Sequence, residues 1–219
     1  MLKCLAQSTK QYLERVKNPI PPSEKLLFTF KNEKDLARWN TFTDQEFGGQ
    51  SEAQLALSQD TPETACFSGR YSTLVANPEA TRMKRSGFVG INSVETGEQL
   101  DIDEYDHVVF RVHGDGRKYI ANLRTENWLV GGRSHDVWQA FLFARKGQWQ
   151  TVAIPLQHFL LTWKGQLVEQ KTEINAKRVI SVGISLAGGD ALQPQGNYNL
   201  GLEWIKAERR MHGLQQRAG

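Results

Sequence analysis

The residues whose types most directly suggest catalysis are Ser134, His135 and Asp136, which carry the side chains of a hydrolytic triad. They are consecutive in the chain, and neighbouring side chains of an extended segment point to opposite faces. A triad requires its nucleophile, base and acid to converge on one point, so adjacency in sequence argues against this chemistry. The sequence therefore predicts no catalytic residues and no enzymatic activity.

Metal chemistry would need acidic, histidine or cysteine side chains at a suitable spacing. A short acidic segment carries the oxygen ligands that calcium prefers, at Asp101, Asp103, Glu104 and Asp106. It lacks the glycine and the terminal glutamate of an EF-hand loop, so a solvated acidic turn is favoured. Cys4 and Cys66 have no zinc-binding spacing and are predicted to be free thiols in a reducing compartment. We therefore predict no metal and no cofactor.

Aromatic and arginine side chains predict a contact surface. Both faces of the segment from Val137 to Ala144 are apolar, so one must face a core and the other must be covered by a loop, a partner or a ligand. Tryptophan and arginine dominate the energetics of protein interfaces. On this basis the candidate partner-binding residues are Arg124, Trp128, Arg133, Trp138 and Arg145. A second hypothesis uses Trp128, Trp138 and Trp149 to stack on the rings of a bound sugar.

Alternating residues in the middle of the chain predict four strands joined by turns. Apolar side chains alternate with their neighbours from Val108 to Val112, which is the period of a half-buried strand. Gly114-Asp115-Gly116 supplies a tight turn, and the chain returns through residues 119–123. We predict a hairpin from these two strands. A second pair follows, 137–144 and 149–154, joined by a short turn.

Further short strands are predicted on both sides of this stretch. Gly48 and Gly49 predict a tight bend or a close backbone approach, because no P-loop lysine or helix follows them. Trp163 and Leu167 are expected to be packed, and Trp204 is expected to share a face with the other large apolar residues of the last strand. Many short strands, glycine-rich turns and little helix indicate an antiparallel β-sandwich or barrel.

The composition is ordinary for a globular protein of 219 residues, with 39% hydrophobic and 23% charged residues. The net charge of +3 predicts no nucleic-acid partner. No apolar run approaches the ~20 residues of a membrane helix, which leaves peripheral membrane association through a partner. Residues 1–25 are basic and amphipathic, typical of a weak mitochondrial targeting segment or of a solvated arm. We place the β-sandwich domain at 26–207 and a flexible tail at 208–219.

A series of short motifs runs through the chain in order: Phe28-Thr29-Phe30, Trp39, Asp44, Gly48-Gly49, Ser51, Phe67-Ser68-Gly69, Gly87-Phe88, Gly114-Asp115-Gly116-Arg117, Tyr119, Phe143-Ala144-Arg145, Trp149 to Pro155, Phe159, Ile180 to Ile184, and Leu200 to Ile205. In order and spacing they resemble the complex I intermediate-associated protein 30 family, the assembly factors of NADH:ubiquinone oxidoreductase. The similarity covers roughly residues 26–207, almost the whole predicted domain.

This resemblance implies an all-β fold, an antiparallel jelly-roll β-sandwich of the galactose-binding-like type with few short helices. It also implies a non-catalytic assembly factor that binds complex I subunits and other assembly factors. Its partners would be membrane-arm intermediates at the matrix face of the mitochondrial inner membrane. No catalytic residue accompanies the family. The alternative is a carbohydrate-binding jelly-roll module.

Overall fold

The computed structural model describes residues 21–75, 87–126, 136–163, 165–169, 172–188 and 193–210. Within these ranges the strands are β1 (Glu24–Thr29), β2 (Trp39–Thr43), β3 (Glu52–Leu57), β4 (Ala65–Tyr71), β5 (Phe88–Ser93), β6 (His107–His113), β7 (Lys118–Thr125), β8 (Asp136–Phe143), β9 (Trp149–Pro155), β10 (Leu160–Trp163), β11 (Gln166–Leu167), β12 (Val179–Ala187) and β13 (Gly196–Glu208). The described helices are short: α1 (Glu33–Leu36) and three 3₁₀ turns, Asp44–Phe47, Leu156–His158 and Ala176–Arg178.

The strands form two sheets in which every neighbouring pair of strands is antiparallel. The six-stranded sheet has the order β3-β4-β13-β6-β9, and β1 also pairs with β13. The seven-stranded sheet has the order β11-β10-β8-β7-β12-β5-β2. Buried side chains of both sheets, such as Phe110 and Leu200 from the first and Leu142 and Ile184 from the second, share one core. The predicted antiparallel β-sandwich with few short helices is confirmed.

The central stretch crosses between the sheets after β6 and again after β8. β6 pairs with β9 in the six-stranded sheet, whereas β7 pairs with β8 in the seven-stranded sheet. The predicted pairing of β6 with β7, and of β8 with β9, is therefore wrong. Alternation shows which side chains are buried, but it does not show whether a turn keeps the chain in one sheet. The observed pairing makes β6–β9 a two-stranded ribbon folded across the sandwich, which is the wrapping of a jelly roll.

The ribbon bends at two facing turns, residues 114–117 and 144–148, which we call the corner. Gly147 donates its backbone N–H to the Gly114 carbonyl at 2.8 Å, and Gly114 donates to the Gln148 carbonyl at 3.4 Å. A Cβ atom on Gly114 would lie 2.6 Å from the carbonyl carbon of Ala144. The two bends can touch because position 114 has no side chain.

A hydrogen-bond network around Asp115 fixes the corner. The Asp115 carboxylate accepts hydrogen bonds from the backbone N–H groups of Arg117 and Asn199, both at 2.9 Å, and from the Tyr119 hydroxyl at 3.0 Å. The Arg117 guanidinium donates to two backbone carbonyls of the 194–197 segment. Burial, and then the Asp115 carboxylate, raise the pKa of Tyr119 well above its usual value. The phenol therefore stays protonated and remains a donor.

β13 changes the face that it buries partway along its length. Tyr198, Leu200 and Leu202 are buried, and the register against β6 then shifts between Leu202 and Trp204. After the shift Ile205 is buried, so Trp204 lies on the opposite side. The prediction that Trp204 shares the core-facing side is wrong, because a bulge adds one residue and reverses the alternation.

The β10–β11 hairpin forms one edge of the seven-stranded sheet. Trp163 and Leu167 are both exposed there, so the expectation that they are packed is wrong. β11 contains two residues and is the last strand of the sheet, so it has few neighbours to cover it. The edge consequently leaves apolar side chains on the surface.

Asp44 connects the bend after β2 to the strands beyond it. Its fully buried carboxylate accepts hydrogen bonds from the backbone N–H and hydroxyl of Ser51 at 2.9 and 3.0 Å. It also accepts from the backbone N–H groups of Gly87 and Phe88, at 2.7 and 3.4 Å. A Cβ atom on Gly49 would lie 2.1 Å from the Asp44 Cγ. The predicted close backbone approach at Gly49 is confirmed, and its purpose is structural.

We expect Asp44→Ala to lower the free energy of unfolding by about 3 kcal/mol or more, because it leaves several buried donors without an acceptor. The measurement is urea denaturation followed by intrinsic fluorescence. The exposed carboxylate of Asp60 provides the control, and Asp60→Ala should change the midpoint little. Equal midpoints for the two variants would show that Asp44 does not hold the loop.

Candidate interaction surface

The residues considered for hydrolysis lie mostly beyond what the structure describes. Ser134 and His135 are outside the described residues, and Asp136 is the first residue of β8. The geometry of a triad is therefore untested. Cys4 is also outside the described residues, whereas Cys66 is a half-buried free thiol whose pKa is raised by burial. A raised pKa disfavours the thiolate, which is the reactive form of cysteine.

The acidic segment considered for calcium is engaged with other parts of the chain. Asp103 lies 3.3 Å from the Lys177 ammonium, and Asp106 accepts a hydrogen bond from the backbone N–H of Arg210 at 2.9 Å. Asp101 accepts one from the backbone N–H of Asp103 at 3.2 Å. Among the described residues, no three or more His, Cys, Asp or Glu side chains are grouped to hold a metal ion.

The outer face of the seven-stranded sheet carries an exposed apolar patch. Phe141 and Phe143 of β8 are 52% and 58% exposed, and their ring centroids are 5.7 Å apart. Leu160 of β10 and Leu167 of β11 are also more than half exposed. These four side chains, which we call the apolar patch, lie on one face because Leu160 pairs with Gln139, and Leu167 with Thr162. Phe141 and Phe143 form its contiguous part, whereas Leu167 lies at the level of Val137, six residues before Phe143 on β8. Contiguous exposed apolar side chains typically mark interaction sites.

The alternation of β8 explains why these rings point outward. Trp138, Ala140 and Leu142 occupy the core-facing positions and are buried. Residues between them must face the opposite way, which sends Phe141 and Phe143 to the surface. The sequence predicts that one apolar face of β8 needs a cover, and in the described structure that face is exposed.

Amide side chains cross the same face in a single row, one strand after another. We call this the amide row, and it comprises Gln139 of β8, Asn122 of β7, Asn92 of β5 and Asn40 of β2, with Gly183 of β12 at its centre. Gln139 donates to Asn122 at 2.8 Å, and Asn122 donates to the Ser185 hydroxyl at 2.9 Å. The Thr162 hydroxyl donates to Gln139 at 3.1 Å. Much of the row is therefore hydrogen-bonded within the protein.

A shallow cleft of about 570 Å³ opens at the corner, beside the apolar patch. It is lined by Gly116, Arg117, Lys118, Phe143, Ala144, Arg145, Gln150 and Thr151. Arg117 lies 3.7 Å from the Asp115 carboxylate, so this charge is largely compensated. Lys118 and Arg145 are exposed, and neither forms an ion pair with a carboxylate among the described residues. The cleft therefore places the positive charges of Lys118 and Arg145 next to the ring of Phe143.

The residues predicted to bind a partner are placed differently from one another. Arg145 lines the cleft, and Arg124 lies on the outer sheet face, where it pairs with Glu95 at 2.6 Å. Trp138 is only 5% exposed, and its indole N–H donates to the Thr125 hydroxyl at 3.3 Å. This burial removes Trp138 from the candidate contact residues. The two remaining candidates, Trp128 and Arg133, lie outside the described residues.

The tryptophans considered for sugar stacking do not gather in one place. Trp138 is in the core beneath the seven-stranded sheet, whereas Trp149 is on the six-stranded sheet. The Trp149 ring lies 5.5 Å from that of His113, and the Arg111 guanidinium is 5.9 Å from it. Trp128 is outside the described residues. The two tryptophans that the structure describes therefore cannot form one sugar platform.

The sequence model of the family described as complex I intermediate-associated protein 30 matches residues 28–202. Three similar relatives are named complex I intermediate-associated protein 30, mitochondrial. The Drosophila melanogaster protein is 29% identical over 94% of this chain and 71% of its own length. The Neurospora crassa protein is 28% identical over 89% and 76%, respectively. The Mus musculus protein is 25% identical over 74% of this chain, which spans about half of its length.

Solved structures with a similar fold include carbohydrate-binding modules. The family 11 module of a Clostridium thermocellum cellulosomal cellulase has a TM-score of 0.60 at 14% identity, covering 87% of this chain and 96% of the module. The family 11 module solved with a mixed-linked tetrasaccharide has a TM-score of 0.58 at 15% identity, covering 85% and 95%. At this identity the likeness concerns the fold, and it supports the jelly-roll, galactose-binding-like assignment. In the part of the chain that the structure describes, no helix has the length and apolarity to cross a membrane.

We expect the double variant Phe141→Thr, Phe143→Thr to keep the free energy of unfolding within about 1 kcal/mol of the wild type, because both rings are already exposed. Threonine preserves the strand preference of these positions. The variant should also bind less of a hydrophobic fluorescent dye. Leu142→Thr, on the buried face between them, is the comparison and should cost about 3 kcal/mol. If the double variant is destabilised as strongly, the two rings belong to the core.

Proposed function

The chain belongs to the complex I intermediate-associated protein 30 family, and from this premise we propose that it is a non-catalytic assembly factor for mitochondrial respiratory complex I. It binds an assembly intermediate of the membrane arm through the outer face of its seven-stranded sheet. The observation that carries this proposal is the apolar patch, in which adjacent phenylalanines point away from the core. Membership of the family supports the assembly role, and the apolar patch is the surface that we propose for the contact.

The patch suits a polypeptide partner because it offers apolar area that is already fixed in place. Phe141 and Phe143 belong to β8, which is held between β10 and β7 and anchored below by Trp138 and Leu142. A partner therefore meets ordered rings and loses little entropy in fixing them. Arg145, which lines the cleft together with Phe143, adds charge that orients an approaching chain, whereas Arg124 lies farther along the same face and is paired with Glu95.

The size of the patch fits a contact that is made and later released. Its four side chains are about half exposed, so covering them contributes roughly 1 kcal/mol each. The entropy that both partners lose on association offsets several kcal/mol of that gain. The resulting affinity is moderate unless neighbouring groups contribute. A later subunit that covers the same partner surface can then displace the assembly factor.

The relatives are named mitochondrial, which supports the same compartment for this chain. We place its action at the matrix face of the inner membrane, where the membrane arm is assembled. Attachment to the membrane is peripheral and passes through its partners, which comprise complex I subunits and other assembly factors.

Glycan binding is the second candidate function, and the amide row is the observation that favours it. Amides bind sugar hydroxyls through paired donors and acceptors, and Phe141 and Phe42 lie along one side of the row, at its two ends. Phe42 crosses the sheet surface at Gly90, where a Cβ atom would lie 2.2 Å from its Cζ. The face thus combines amides with rings, as a sugar site does.

We expect the Phe141→Thr, Phe143→Thr variant to co-purify with fewer complex I membrane-arm subunits than the wild type, because the patch is the contact. The full-length chain is expressed in cells that lack the endogenous protein, and complex I intermediates are followed on native gels. Leu26→Thr is the matched control, since Leu26 is 55% exposed on the six-stranded sheet. Normal assembly with the double variant would place the contact on another face.

We expect calorimetric titration with a mixed-linked glucan tetrasaccharide to give no saturable heat, because Gln139 and Asn122, two of the four amides in the row, are already hydrogen-bonded within the protein. Asn122→Ala is the diagnostic variant. If the wild type binds the tetrasaccharide and Asn122→Ala does not, the glycan candidate replaces the assembly factor as the function of this face.

A further inference from the structure

We propose that the cleft at the corner holds an acidic side chain of the bound partner, so that the partner segment is a polypeptide with carboxylates next to apolar residues. This inference rests on the proposed function, and it adds the chemistry of the partner. It follows from the position, charge and rigidity of the cleft.

The cleft lies next to the apolar patch, and the two share one wall. Phe143 belongs to both, and Lys118 is its directly paired neighbour on β7. Side chains of such a pair have Cβ atoms about 5 Å apart. Arg145 follows two residues after Phe143, on the far side of the cleft. A segment that covers the two phenylalanine rings therefore reaches both cations within one or two residues.

Two of the three cations that line the cleft are uncompensated in the described structure. Several other cations on the sandwich have carboxylate neighbours: Arg124 pairs with Glu95, Arg178 with Glu126, and Lys206 with Glu24. Lys118 and Arg145 have no such partner among the described residues, and no acidic residue lines the cleft. Charge complementarity therefore selects an anionic group for this position.

Rigidity makes these charges useful for recognition. Lys118 begins β7 and Arg145 follows β8, so both are attached to the corner that Asp115 and Gly114 hold together. Gln150 closes the cleft floor by donating to the Phe143 carbonyl at 2.9 Å. Charge-assisted hydrogen bonds from a fixed cation to a carboxylate are among the stronger polar contacts in proteins. An acidic anchor beside an apolar contact also fixes the direction in which the partner lies.

A polypeptide fits better than a free anion or a lipid headgroup. A free phosphate would leave the apolar patch uncovered. A membrane surface would require the rings to enter a lipid layer, yet the amide row continues across the same face. An extended segment, in contrast, alternates apolar and polar side chains at the spacing of the strands beneath it.

The test uses the full-length chain and three fluorescent peptides in which alternate positions are Leu and Glu, Leu and Lys, or Gln and Glu. We expect the Leu/Glu peptide alone to bind, and Lys118→Ala, Arg145→Ala to weaken it about tenfold. Raising sodium chloride from about 50 to about 500 mM should weaken the wild type but hardly affect that variant. Lys34→Ala, Arg70→Ala removes the same charge from exposed sites elsewhere and should leave binding unchanged.

Equal binding of the Leu/Glu and Leu/Lys peptides, or an unaffected Lys118→Ala, Arg145→Ala variant, would overturn the acidic anchor. So would tighter binding to vesicles of anionic phospholipid, lost in the same variant, because the cleft would then serve a membrane.

These results are separable from the proposed function. If Phe141→Thr, Phe143→Thr abolishes co-purification of complex I subunits while the charge variant does not, the assembly role stands and the anchor fails. If peptide binding requires Lys118 and Arg145 but complex I assembly is normal in both the charge variant and the phenylalanine double variant, the anchor holds and the assembly contact lies elsewhere.

Discussion

The structure depends on one backbone contact, the close approach of the two bends at Gly114. A single ribbon, β6 to β9, supplies paired strands to both sheets and must fold sharply where it passes from one to the other. A side chain at Gly114 would overlap the carbonyl group of Ala144, so the bend can close only around a glycine. The Asp115 network then ties this corner to β13. Phe143 and Lys118 are directly paired on β8 and β7 beside this bend, and Arg145 lies within it, so the jelly-roll wrapping and the candidate contact surface meet at the corner.

Local patterns in the sequence locate the central strands and many of the side chains that they bury, although they fail for Trp163 and Leu167 at the sheet edge. The alternation from Val108 to Val112 identifies the inward positions of β6, and the same holds for Leu142 in β8. Sheet membership is different, because a Gly-Asp-Gly turn serves a hairpin and a crossing equally well. The choice is made by long-range pairing, which a short window does not contain. The bulge after Leu202 is likewise not visible in a short window. It adds one residue to β13, so Trp204 faces outward although the alternation up to Leu202 predicts the opposite.

The sequence predicts only part of the candidate contact surface, for a related physical reason. An apolar strand with two apolar faces predicts that one face needs a cover, and β8 is such a strand. Residue type alone favours Trp138 as the contact, yet burial suits that residue because Thr125 accepts its indole N–H. Phe141 and Phe143 occupy the alternate positions of β8, so they remain exposed. The sequence predicts Arg145 as a contact residue, whereas its proximity to Lys118 requires knowledge of the β7–β8 pairing.

The two kinds of ligand that this face suggests can be ranked by what each must displace. Gln139 and Asn122 already bond to each other, to Thr162 and to Ser185, so a sugar hydroxyl would exchange one hydrogen bond for another. The net gain from such an exchange is small, about 1 kcal/mol or less per bond. Covering Phe141 and Phe143 displaces only water, and that gain is not offset by a lost protein contact. A fold shared with sugar-binding modules therefore presents a face whose energetics favour a polypeptide.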